Sequence, residues 1–291
     1  SAITRGLVSE SKRDEAVADA MTDAQLDVQG ASSVPAPTHE ELSPWQTFPA
    51  GARYGTLLHD LLEWLSQNDW PVANENAPAW AQQAWANLLG RKASWLQLDD
   101  AQRTQLETWL HAVVQTPLPL HELNATPLTL SELSTEHMWA EMEFNLEVSH
   151  VSAKALDQLI QSHVFEGTPR PALQTRVMQG MLTGSMDLVL QHDGRYWVAD
   201  YKSNKLTHYD SATLQDAVLH KRYDVQYVLY TLALHRLLKV RLPGYNYAQH
   251  MGGAVYLFLR GIHAEGSGVH VCRPSQVLIE TLDALFEKGT A

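Results

Sequence analysis

Residues 181–204 read MLTGSMDLVLQHDGRYWVADYKSN, two runs rich in Val, Leu, Tyr and Trp on either side of Asp193-Gly194. That dipeptide readily adopts the positive φ angles of a tight two-residue turn, whose twist matches that of paired strands. A β-hairpin is expected. With Asp193 and Gly194 as the turn, His192 faces Arg195, and further from the turn Asp187 faces Asp200. Directly opposed residues have Cβ atoms roughly 4.5–5.5 Å apart. Lys202 lies two residues beyond Asp200, and side chains alternate between faces, so all three polar groups share one face.

Two opposed carboxylates repel, which weakens a purely structural sheet. One resolution is bland: Asp187 ends an edge, and Asp200 pairs with Lys202 or with an outside arginine in an ion pair of little energetic weight. The other is chemical. A divalent cation between the carboxylates turns repulsion into attraction, and carboxylate oxygens suit magnesium, with manganese as its substitute. Lys202 would then hold or deprotonate an attacking water, or offset charge on a phosphate.

Outward from the hairpin, GTLLHDLLEWL places Leu58, Leu61, Leu62 and Leu65 at helical spacing, with Thr56 near the expected start. Tryptophans and leucines between residues 80 and 120 suggest an added helical region. MEFNLEVSH reads as a strand and SAKALDQLIQSH as a helix. After the hairpin, TLQDAVLHKRYDVQYVLYTLALHRLLKV reads as one long helix and GGAVYLFLRGI as an apolar strand. The fold class is therefore α/β, a mixed β-sheet flanked by helices. Residues 1–50, which include SSVPAPTHEELSPWQTFP, read as a linker or tail, with the domain proper over 51–291.

Composition narrows the chemistry. The chain has 291 residues and a single cysteine, Cys272, which excludes an internal disulfide framework, a multi-cysteine zinc site and a cysteine-ligated iron–sulfur cluster. Any metal must sit on oxygen and imidazole. No apolar run has the length of a membrane span, and no signal peptide is evident, so no membrane partner and a cytoplasmic address are expected. The formal charge of -12 opposes broad adhesion to nucleic acid. HExxH, GxSxG and GxxxxGK[ST] are all absent, so there is no ATP site.

GSMDLVLQHDGRYWVADYKSN resembles motifs II and III of the PD-(D/E)XK nucleases. The ordered set YGTLLHDLLEWL, AEMEFNLEVS, the hairpin, KRYDVQYVLYTLALHRLL and GGAVYLFLRGI, over about residues 40–288, is similar to the RecB-like branch of that superfamily. SAITRGL resembles the end of the helicase region that precedes such domains. The resemblance implies a restriction-endonuclease-like core and a magnesium-dependent DNA nuclease of the exodeoxyribonuclease V type. It further implies that His59, Asp187, Asp200 and the backbone carbonyl of Tyr201 bind the metal, and that Asp187, Asp200 and Lys202 are catalytic. Gln226 and Tyr230 match a QxxxY element, and their spacing puts them on one helix face; a core-facing stripe with Tyr223 and Tyr227 explains them as well. Lys205, His220, Lys221 and Arg222 suit a basic rim along a phosphate backbone or a solvated helix end. Glu141 and Glu143 share a strand face, near the metal or simply exposed, and Arg260 closes an apolar strand in either role.

The implied partners are DNA, as single-stranded ends or as duplex opened by a helicase, RecC-like and RecD-like subunits, and a RecA-type recombinase. In such an assembly the helicase delivers the strand, which reconciles an acidic chain with a polyanionic substrate. Two alternatives stand beside this reading: a non-catalytic docking module on the same fold, and a structure-specific endonuclease.

Overall fold

The computed structural model describes residues 43–289, apart from 175 and 264–266. Its strands are β1 (Met138–Ser152), β2 (Val177–His192), β3 (Arg195–Lys202), β4 (Met251–Phe258) and β5 (Val269–Cys272). Its longer helices are α1 (Ala52–Ser66), α2 (Ala79–Leu96), α3 (Asp100–Gln115), α4 (Ala153–Gln161), α5 (Ser211–His220), α6 (Tyr223–Arg241) and α7 (Gln276–Lys288). The strands lie side by side in chain order as one sheet. β3 and β4 run parallel and the other neighbours antiparallel. A parallel pair needs a crossover, and α5 and α6 supply it. Among the described residues no helix is long and apolar enough to cross a membrane.

Alternation along the strands builds two cores. Val189, Val198, Tyr256 and Phe258 pack with side chains of α4 to α7, whereas Leu188, Leu190, Trp197, Val255 and Leu257 pack with those of α1 to α3. Helix α6 is buried on nearly every side, the burial expected of a helix apolar all round. The added helical region is present as α2 and α3, the latter begun by a capping box between Asp99 and Gln102.

Three boundaries differ from the sequence reading. The long helix expected over 213–240 is two helices, because Arg222 adopts a left-handed backbone (φ 60°) between them. Helix α1 begins at Ala52 behind Gly51, ahead of Thr56, and Gly51 takes a φ of 114° that favours glycine. The tail expected through residue 50 lies outside the described residues up to 42, but Ser43–Pro49 is part of the packed domain. Trp45 and Phe48 are buried. The Arg260 guanidinium donates to the carbonyls of Trp45, Phe48 and Pro49 at 2.8–2.9 Å and to that of Ser203 at 3.1 Å. Arg260 is thus a clasp, and its lack of a partner nearby in sequence hid this role.

The hairpin has the expected turn, with φ of 50° at Asp193 and 70° at Gly194. Its register runs as read, from His192↔Arg195 to Leu188↔Ala199, and stops there. Asp187 and Asp200 fall just beyond the last pair. On the other side of β2, β1 pairs Ala140 with Leu188 and Met142 with Met186, stepping over Asp187 and over Glu141, whose φ is 50°. Met186 packs in the same core as Val189, while Leu188 packs in the opposite one, so the alternation slips at this point. Asp187 therefore occupies a break in both of its ladders. A non-glycine residue held in the left-handed region typically costs about 1–3 kcal/mol and marks a locally over-determined backbone.

Candidate active site

Opening the ladder at Asp187 frees backbone groups, and the carboxylate takes one of them. The Tyr201 N–H donates to Asp187 Oδ2 at 2.8 Å. The Tyr201 carbonyl meets His59 Nε2 at 2.6 Å, and that nitrogen lies 3.6 Å from Asp187 Oδ2. His59 comes from α1, which covers one face of the sheet. Asp200 and Lys202 belong to the other face, where Lys202 Nζ lies 2.9 Å from Asp200 Oδ2 and both side chains are 1 % exposed. The expectation that Asp200 and Lys202 share a face holds. The site is wrapped around the end of β3, with His59 on one side, the Asp200–Lys202 pair on the other, and Asp187 and the Tyr201 carbonyl at the opening between β2 and β3.

This donor set fits a small divalent cation. Asp187 Oδ2 and the Tyr201 carbonyl are both acceptors near one imidazole nitrogen, and a single proton on Nε2 can satisfy only one of them well. His59 Nδ1 is buried without a hydrogen-bond partner. A cation would serve both oxygens and the Nε2 lone pair, with the proton moved to Nδ1. Hard oxygens with one imidazole suit magnesium or manganese. Among the described residues no three His, Cys, Asp or Glu side chains cluster as metal ligands by themselves. The arrangement depends on a backbone carbonyl, which only the strand register supplies.

Around this centre, burial pushes the Tyr201 phenol far above its ordinary range, with the Asp187, Glu141 and Asp200 charges adding to the effect. The phenol stays neutral. Glu141, from the skipped position in β1, accepts from Ser185 Oγ at 3.0 Å. Sequence alternation grouped it with Glu143, whose partner across β1 and β2 is that same Ser185. Gln226 and Tyr230 are buried and bonded to each other at 2.9 Å, and Tyr256 donates to Gln226 Oε1 at 2.9 Å. Their bonds support the β4 ring that lies near Lys202.

The basic rim divides. Lys205 and His220 are exposed. His220 and Lys221 line a cavity of about 610 Å³ together with Leu206 and Arg170. Arg222 does not join them. It donates to Asp157 at 2.7 Å, to Asp224 at 3.0 Å and to the Pro171 carbonyl at 2.6 Å. Arg170 binds the other side of the fully buried Asp224 at 2.7 Å. Burial alone would lower the Arg222 pKa, yet its bonds to Asp224 and Asp157 raise it overall. Arg222 is a structural cation, and the left-handed turn before α6 is what aims it inward.

Sequence reasoning also passed over Tyr256 and Asn204, and read Tyr223 only as a possible core residue. Tyr223 and Tyr256 place their rings near Lys202, and Asn204 accepts from the Tyr223 hydroxyl. The density of tyrosines in α6 and β4 was the available signal.

The sequence profile of the PD-(D/E)XK nuclease superfamily matches residues 36–288. The chain is 40 % identical over 269 residues, 90 % of its own length, to the RecBCD enzyme subunit RecB of Escherichia coli K12. It is 40 % identical over 197 residues, 66 % of its length, to that of Haemophilus influenzae, and 29 % identical over 282 residues, 85 % of its length, to that of Mycobacterium tuberculosis. It spans only 21 %, 16 % and 25 % of those proteins, respectively. With the mixed sheet, the flanking helices and the D…DxK strand pair at its centre, the chain belongs to the PD-(D/E)XK nuclease superfamily.

Proposed function

We propose that this chain is a magnesium-dependent deoxyribonuclease that hydrolyses phosphodiester bonds of DNA ends, with Asp187, Asp200, His59 and the Tyr201 carbonyl holding the cation and Lys202 acting beside it. The observation that carries this reading is the convergence of His59 Nε2, Asp187 Oδ2 and the Tyr201 carbonyl next to the buried Asp200–Lys202 pair. A divalent cation held there supplies charge that offsets the build-up on the phosphate and makes water more acidic. The protein's own groups do the rest. His59 and Asp187 would set the position of the cation, and Asp200 keeps the Lys202 ammonium within 2.9 Å of its carboxylate. Lys202 then orients the attacking water or neutralises phosphate charge. The water oxygen adds to phosphorus, an ester P–O bond breaks, and the departing oxygen takes a proton.

The assembly is part of the same proposal. The relatives carry the name of a RecBCD subunit, and this chain corresponds to about a fifth of the first of them. We infer that it works as the nuclease portion of a larger subunit, beside RecC-like and RecD-like proteins, during double-strand break repair and recombination. A helicase that presents single strands explains how a chain of net charge -12 handles DNA. Lys221 and exposed Lys205, with the His220 imidazole, are the basic side chains that follow the site in sequence.

The test compares wild type with Asp200→Ala on end-labelled linear single-stranded DNA, with magnesium and with chelator. Digestion by wild type alone, and only with magnesium, is expected. Equal digestion by both proteins, or digestion in chelator, overturns the mechanism.

A further inference from the structure

Lys202 is held by more than its carboxylate. Its Nζ lies 4.3 Å from the centroid of the Tyr223 ring and 5.5 Å from that of Tyr256. The rings are themselves neighbours, with centroids 5.9 Å apart and planes inclined by 38°. Both hydroxyls are tethered. The Tyr223 hydroxyl donates to Asn204 Oδ1 at 3.2 Å, and the Asn204 carbonyl in turn accepts from Tyr209 at 3.0 Å. The Tyr256 hydroxyl donates to Gln226 Oε1, whose amide donates on to Tyr230. Asn204 and Gln226 are buried, so neither tether is exposed to competition from bulk water.

Lysine is a point charge on a flexible four-carbon stem. An ion pair to a single carboxylate restrains such a stem at one end only. The negative face of an aromatic ring attracts an ammonium, most strongly where both are desolvated. A second and a third contact, from different elements, fix the direction as well as the distance. Here the rings come from α6 and β4, and the carboxylate from β3.

We propose that Tyr223 and Tyr256 are positioning residues for the cleavage step, holding the Lys202 ammonium through their ring faces, with Asn204 and Gln226 fixing those rings by their hydroxyls. This rests on the nuclease reading of the site. It gives the Gln226–Tyr230 pair the work of orienting the lysine rather than of touching DNA, and it adds Tyr223, Tyr256 and Asn204 to the reaction's supporting residues.

The experiment measures kcat and KM on labelled single-stranded DNA at saturating magnesium for Tyr223→Leu, Tyr223→Phe, Tyr256→Leu and Tyr256→Phe. Mn²⁺ affinity is measured by calorimetry. The leucine variants are expected to lose about tenfold in kcat or more, and the phenylalanine variants to stay within about threefold of wild type. KM and Mn²⁺ affinity should be unchanged. A series of increasingly fluorinated phenylalanines at 223, close to phenylalanine in size, should lower kcat stepwise as the ring face loses negative potential. A merely structural ring would not respond. If the leucine variants do not fold, the fluorinated series decides the matter. Folded leucine variants with wild-type kcat, or a flat fluorination series, overturn the proposal.

The ring-current shift of the Lys202 ε-methylene in lysine-labelled NMR spectra separates the two possible failures. A wild type that cuts no DNA yet shows this shift overturns the nuclease reading and the catalytic claim with it. A wild type that cuts DNA beside indifferent ring variants overturns the positioning claim alone.

Discussion

Among the described residues, the ionic clusters around Asp224 and around the end of β3 are built differently. Around Asp224, two guanidiniums meet two carboxylates. Arg170 and Arg222 answer Asp157 and Asp224, and their remaining donors go to the carbonyls of Val164, Phe165, Thr168 and Pro171. Charge and hydrogen bonds both balance. Around the end of β3, Asp187, Asp200 and nearby Glu141 stand against the one ammonium of Lys202 and the imidazole of His59. There two aspartates and a backbone carbonyl crowd one imidazole and one ammonium. Buried charge is tolerated when it is paired, so the first cluster is complete as it stands, and the second is suited to receive a cation. Burial of charge by itself therefore does not mark a site.

The largest test of this contrast removes one carboxylate from each cluster. Asp187→Asn should lower cleavage by roughly a hundredfold to a thousandfold, the scale seen when a group that stabilises developing charge is lost, with little change in melting temperature. Asp224→Ala should cost about 3–5 kcal/mol of stability in denaturant titration, because it takes the carboxylate from the buried Arg170 guanidinium and one of two from Arg222, with Mn²⁺ affinity unchanged. If Asp187→Asn melted the protein and Asp224→Ala spared it, the contrast would be broken.

Magnesium gives the next effect. At about a hundredfold excess over its dissociation constant, a ligand that binds only the folded state adds about 2.7 kcal/mol. The wild-type melting temperature should therefore rise with magnesium, and that of Asp187→Asn should not. An equal rise in both would place the cation elsewhere.

The smallest effect concerns a neutral buried group. Burial brings the His270 imidazole down to about 4 from its ordinary 6.5. The unfolded chain thus takes up this proton first, so the stability from His270 is intact above about 6.5 and falls as the pH drops toward 4. Burial alone would raise the Asp157 carboxyl, but bonds from Arg222, Gln161 and the Leu173 N–H take it below 3.8. Its stabilisation is present above 3.8 and is lost as the pH falls below that. His270→Gln should flatten the melting temperature between pH 6.5 and 4, and an unchanged slope would reject this assignment.

Much of this was legible in the sequence because it is local. The Asp193-Gly194 turn set the hairpin register, and period-2 alternation put Lys202 beside Asp200. The opposition of Asp187 and Asp200 was not met, because the ladder opens one residue early and the Tyr201 N–H turns to the Asp187 side chain. No glycine announces the left-handed Glu141 or Arg222; tertiary bonds hold Arg222 there, and only the fold brings those partners close. His59 was identified from its likeness to a family motif, since nothing in GTLLH says which strand end it will face. Arg260 and Tyr256 were opaque for the same reason: their partners lie far away along the chain.

The Arg260 clasp has a mechanical side. One guanidinium grips the carbonyls of Trp45, Phe48 and Pro49 and also that of Ser203, the residue that follows Lys202. A single planar group therefore ties residues 45–49 to the end of β3. The segment over 45–49 and the end of the strand that bears Lys202 are thus cross-linked at a single side chain, far apart as they are in sequence.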